Sequence, residues 1–164
     1  MIRFVRTIRD CESGASVIEF ALAAPFLATL LVGMIDISRA YSERLLLEQA
    51  AQRAIERVEQ QRTVATDYSP IKADAAQQAG ITQTQSNPQL TQWLECSSDN
   101  GATWTSQGNN TITSQCPNDT DLPARYVTIR ITKSFTPTFG ARFFPGANSD
   151  GTVTLAAEAG IRVQ

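Results

Sequence analysis

The chain has 164 residues, a formal net charge of −2, three cysteines and no histidine. That length suits one small domain plus an anchor, and the charge balance offers no basic surface for nucleic acid. The lack of histidine removes the commonest general base and the commonest metal ligand, which weighs against an enzyme.

Residues 1–14 read MIRFVRTIRDCESG, where Asp10 and Glu12 partly offset Arg3, Arg6 and Arg9. No charged residue falls between Phe20 and Ile35. With Ala15–Glu19 the apolar segment is 21 residues long. At ~1.5 Å per residue that is about 30 Å, the thickness of a bilayer core. Arginines before it and mixed charges after it (Asp36, Arg39, Glu43, Arg44) place the N-terminus in the cytoplasm. A cleaved secretory signal is disfavoured, because a cut at Ala21-Leu-Ala23 leaves Pro25–Ile35 as an apolar N-terminus. A buried core helix is disfavoured by the small polar face. A plain signal anchor stays open.

Helical periodicity continues past the apolar run. Ile37, Tyr41, Leu47, Ala51, Ala54 and Val58 recur mostly at three- or four-residue spacing, with Arg39/Glu43, Arg44/Glu48 and Arg53/Glu56 as expected ion pairs. The expectation is one helix from about Ala15 to Gln61, roughly 70 Å long at ~1.5 Å per residue. Pro25 lacks a backbone donor and is the expected break or kink within it.

Pro70–Gly80 reads as a short helix with Pro near its start and Gly at its end. Leu90–Cys96 has strand character, Asp99-Asn-Gly101 is a turn signal, and Ala102–Thr105 is the expected returning strand. Gln107–Pro123 is a polar loop. Within it, Asn118, Asp119 and Asp121 read as a solvated acidic turn in preference to a calcium site. Arg125–Phe135 alternates, with Val127, Ile129 and Ile131 on one face. Thr152–Val163 alternates too, with Val153, Leu155, Ala157, Ala159, Ile161 and Val163 inward. The apolar Pro137–Asn148 connection is expected to fold over the sheet edge; a subunit contact is its alternative reading.

If the apolar helix spans a membrane, Cys11 faces a reducing cytosol. Cys96 and Cys116 then lie in an oxidising compartment, where a disulfide is the expected state and a metal site the alternative.

The junction Glu12-Ser-Gly14-Ala15-Ser-Val-Ile-Glu19-Phe20 carries the most information. A carboxylate inside a spanning helix costs on the order of 2.5–3.5 kcal/mol, so Glu19 either snorkels to the interface or has a partner. A basic leader, a Gly, and an acid five positions later followed by Phe resembles the processing site of type IV prepilins. The run EFALAAPFLATLLVGMIDISRAYSERLLLEQAAQRA is similar to the TadE-like family, minor pilins or pseudopilins of bacterial tight-adherence (Flp-type) pili. Members of that family often read G-x-x-x-x-E-F-A-L-x-x-P, here Gly14 through Pro25. The resemblance covers about residues 9–60, extends more loosely to 125–164, and leaves about 65–123 unmatched.

The resemblance implies cleavage by a membrane-embedded prepilin peptidase between Gly14 and Ala15. Glu19, followed by Phe20, would then neutralise the α-amino group of Ala15, in its own subunit or the next. The implied fold is α+β, a long transmembrane-to-periplasmic helix on a small antiparallel sheet, type IV pilin-like. The expected organisation is a leader (1–14), a transmembrane stretch (15–36), a soluble amphipathic stretch (37–62) and an extracytoplasmic α+β domain (63–164). Expected partners are the peptidase, other pilins or pseudopilins, the inner-membrane assembly machinery and the membrane itself. No catalytic residues, metal or cofactor are expected. The competing function is an uncleaved, signal-anchored periplasmic binding or adhesion domain.

Overall fold

The computed structural model describes residues 12–60, 67–84, 87–108, 115–141 and 144–163, with side chains from residue 16 onward. Residues 1–11 of the leader, Cys11 among them, and Phe143 lie outside the described residues. The elements are helix α1 (Glu12–Gln60), helix α2 (Ser69–Gln78) and strands β1 (Gln89–Ser97), β2 (Thr105–Ser106), β3 (Leu122–Phe135) and β4 (Val153–Arg162). This is the α+β layout expected, a long apolar N-terminal helix with a four-stranded antiparallel sheet. The strand order is β2-β1-β3-β4. By contacts the chain divides into two compact units, Met1–Arg39 and Ala40–Gln164.

The described part of the first unit is helix alone. Val17, Ile18, Phe20, Leu22, Phe26, Leu30, Leu31 and Met34 are all exposed, and the apolar stretch has a mean hydropathy of 2.0 with none of it buried. A water-soluble surface does not carry so much contiguous apolar area, whereas a bilayer or neighbouring helices cover it without penalty. Pro25 lies inside this helix, so the expected break is absent. Proline removes one hydrogen bond and leaves the helical bonds on either side to carry the backbone through. Thr29 adds a side-chain bond here, its Oγ1 donating to the Phe26 carbonyl at 2.7 Å.

In the second unit, α1 and α2 cover one face of the sheet. Leu47, Ala50, Ala51, Ala54, Ile55 and Val58 of α1 join Ile71, Ala75 and Ala79 of the α2 region in one buried cluster. Val127, Ile129, Ile131, Ala157 and Ala159 of the sheet complete it. The alternation in β3 sends Val127, Ile129 and Ile131 inward, each fully buried, worth about 1.5–3 kcal/mol apiece relative to exposure. Three of the six α1 residues in this cluster are alanines, Ala50, Ala51 and Ala54. Arg57 of α1 pairs with Asp74 of α2 at 2.9 Å. Helix α2 ends as its sequence predicts. Gly80 takes φ +63°, and the amides of Gly80 and Ile81 close back on the carbonyls of Gln77 and Ala76.

The register of β3 and β4 runs from Tyr126↔Arg162 to Phe135↔Val153, and that of β1 and β3 from Gln89↔Arg130 to Ser97↔Leu122. The returning strand expected over Ala102–Thr105 is displaced to Thr105–Ser106. The cause is Asp99. Its carboxylate accepts hydrogen bonds from Ser97 Oγ (2.7 Å), the Thr103 amide (2.8 Å) and Thr103 Oγ1 (2.6 Å), while Ser97 Oγ accepts from the Gly101 amide. Those amides are therefore spent on the turn and do not enter the ladder. Asn100 and Gly101 both take positive φ, as the Asn-Gly signal predicts.

Two of the three expected ion pairs on α1 find other partners. Arg44 pairs with Glu48 at 3.0 Å as expected. Arg39 instead lies 3.8 Å from Asp36, Arg53 donates to Gln78, and Glu43 reaches Lys133. In the Pro137–Asn148 connection, Phe144 meets Phe135 edge to face at 6.3 Å, while Phe139 stays exposed.

Candidate functional site

The candidate processing and assembly site is built by the start of α1. Assignment of helix from Glu12 puts the Gly14–Ala15 peptide bond within its first turn. Glu19 is four residues beyond Ala15, one helical turn, and therefore on the same side of the helix, about 6 Å along the axis. Its side chain is exposed, as are those of Val17, Ile18 and Phe20 around it. Pro25 follows on the same helix but takes no part in this cluster.

Chemically, the arrangement sets one acid a single helical turn after Ala15, within a stretch that holds no other acid before Asp36. An α-amine created at Ala15 would stand one turn from that carboxylate.

Cys96 and Cys116 are bonded to each other, with Cα atoms 5.9 Å apart. The bond ties the end of β1 to the loop before β3. Close to it, Asn118 donates to Asp121 at 3.2 Å, which spends one amide donor within the turn.

Sequence reading missed a second polar and aromatic layer on the sheet face away from α1. Trp93 and Tyr126, directly opposite in the register, stack at 5.2 Å. The guanidinium of Arg162 lies 4.9 Å from the Trp104 ring. Alternation placed Trp93, Tyr126 and Arg162 on that face, but only the strand order shows that they form one row.

Residues 14–55 match the family model described as TadE-like protein. This segment is TadE-like. The match begins at Gly14 and covers Glu19, Phe20 and Pro25, and it supports a protein associated with tight-adherence (Flp-type) pili. The apolar helix of the TadE-like segment is long enough to cross a membrane, consistent with a single-pass membrane protein. No curated protein and no solved structure matches the chain.

Proposed function

We propose that this TadE-like protein is a minor pilin or pseudopilin, cut by a prepilin peptidase between Gly14 and Ala15 and used to assemble or prime a tight-adherence pilus. The observation that carries the reading is the placement of Gly14, Ala15 and Glu19 within the first turns of one exposed apolar helix, inside the TadE-like match. A peptidase needs extended backbone at its cut. Gly14 presents no side chain, and the first helical turn is the cheapest part of α1 to unwind.

After the cut, Glu19 neutralises the new Ala15 amine, its own or that of the adjacent subunit. In a low-dielectric environment either charge alone is costly, so the pair fixes register between helices: a misplaced subunit leaves one charge unmatched. The protein acts as substrate and building block and carries no catalysis of its own. Its partners are the peptidase, the other pilins and the inner-membrane assembly machinery. The N-terminus is cytoplasmic and the Ala40–Gln164 unit extracytoplasmic, where Cys96 and Cys116 are kept oxidised.

N-terminal sequencing of the protein from cells that hold the pilus machinery tests the reading. Ala15 is the expected first residue; an intact Met1 refutes processing and favours the signal-anchored binding domain. Gly14→Leu should block the accompanying shift in size. Glu19→Ala should insert normally yet fail to restore pili in a deletion strain.

A further inference from the structure

The exposed apolar surface of α1 does not stop where its uncharged stretch stops. Ile37 and Tyr41 are 63% and 62% exposed, much as Phe20 and Met34 are, and they stand one helical turn apart. The helix is unbroken from Glu12 to Gln60, so exposed apolar side chains recur along it from Val17 to Tyr41. At ~1.5 Å per residue that is about 36 Å, more than the ~30 Å of hydrocarbon in a bilayer. One end of this surface lies outside the hydrocarbon, or the helix is tilted.

Length does not choose the end, because Ala15–Ile35 and Phe20–Tyr41 each cover about 30 Å. The polar groups do. With Ala15–Ile35 immersed, the exposed carboxylate of Glu19 stands about 6 Å inside the hydrocarbon, while Ile37 and Tyr41 are left outside it. With Phe20–Tyr41 immersed, Glu19 falls in the headgroup layer. The two charged residues this window brings in, Asp36 and Arg39, lie near its other boundary and 3.8 Å from each other. The Asp36 side chain is only 4% exposed, so it presents almost nothing to lipid. Arg39, two residues before Tyr41, is long enough to carry its charge up to the headgroups. A tilted helix immersed all the way from Ala15 to Tyr41 still holds Glu19 in hydrocarbon.

We infer that the bilayer core covers α1 from Phe20 to Tyr41, with Glu19 in one headgroup layer and the Tyr41 hydroxyl in the other. Tyrosine suits that place, since its ring is apolar and its hydroxyl can stay wet. The span expected over 15–36 is thereby moved five residues toward the C-terminus. The Gly14–Ala15 bond then lies about 8 Å outside the hydrocarbon, where the water that hydrolysis consumes is present. The placement rests on α1 spanning a membrane and not on cleavage.

Spin-label depth tests it. The full chain, with Cys11→Ser and with Cys96 and Cys116 bonded to each other, is reconstituted in phosphatidylcholine vesicles. It carries one label, introduced through Ala24→Cys, Ala28→Cys, Leu31→Cys or Ile37→Cys. The ratio of collisions with oxygen to collisions with a water-soluble nickel chelate gives the depth of each label. Position 31 should be deepest, with positions 24 and 37 equally deep. A deepest label at position 24, with position 37 open to the chelate, would overturn the inference in favour of the window from Ala15. A deepest label at position 28 would overturn it in favour of the tilted helix. Glu19→Leu removes the acid that sets the boundary and should move the deepest point to position 28; an unmoved profile would overturn the role given to Glu19. Four labels open to the chelate would refute spanning itself, a failure distinct from that of the window.

Discussion

Glu43 and Lys133, ninety residues apart in sequence, meet at 2.6 Å between Oε2 and Nζ. Their side chains are 37% and 26% exposed, so the pair is neither fully solvated nor fully desolvated. It joins α1 to β3 within the Ala40–Gln164 unit. The same ammonium lies 3.8 Å from where a Cβ on Gly80 would stand, just past the carbonyl end of α2, where a cation is favoured. Lys133→Met should cost about 1 kcal/mol in urea unfolding. A double-mutant cycle with Glu43→Gln should return about 0.5–1 kcal/mol of coupling, weaker in high salt.

The bond between Cys96 and Cys116 closes a loop over a sequence separation of 20. By the loop-entropy estimate, reduction should lower stability by about 3 kcal/mol, a large share for a small domain. Urea midpoints with and without reductant measure it. Equal midpoints would show that Asn118, Asp121 and the β1–β3 ladder already confine the reduced loop.

Asp99 titrates low because Thr103, by hydroxyl and amide, and then Ser97 donate to its carboxylate, pulling its pKa down to about 2. A folded-state value below the unfolded one means stabilisation present above about pH 4 that fades as pH falls through about 2. The β1–β2 turn should therefore loosen between those values. Faster amide exchange at Gly101 and Thr103 would report it, and Asp99→Asn should remove that pH dependence.

What was legible in the sequence depended on the range of the interaction that fixes it. The apolar helix, the Gly14–Glu19 spacing, the Gly80 stop and the alternation of Val127, Ile129 and Ile131 are set by near neighbours, and all could be read. The shortened return strand was not, because the hydrogen bonds of Asp99 are satisfied locally at the expense of the ladder, which propensity over Ala102–Thr105 does not reveal. Glu43 illustrates the other failure. Arg39 sits at a suitable helical spacing, but the fold supplies Lys133 from a strand 90 residues away. The open edge of β4 was equally hidden, since a strand's alternation gives its inner face but not which neighbour it lacks.

Ala51 is fully buried where α1 meets the sheet, flanked on the same face by Leu47, Ala54 and Val58. It belongs to the same buried cluster as Ile129 and Ala159. Ala51→Leu adds three carbons where there is no exposed surface to receive them, so the helix must move away or neighbouring side chains must leave their preferred rotamers. Overpacking of this kind costs typically about 1–3 kcal/mol. Because α1 is also the helix long and apolar enough to cross a membrane, the prediction separates two properties: thermal stability of the Ala40–Gln164 unit should fall while membrane insertion of the full chain is unchanged. Melting by near-ultraviolet circular dichroism, paired with membrane fractionation, checks both. A variant as stable as the parent would mean that α1 and the sheet are less closely packed at Ala51 than its burial indicates.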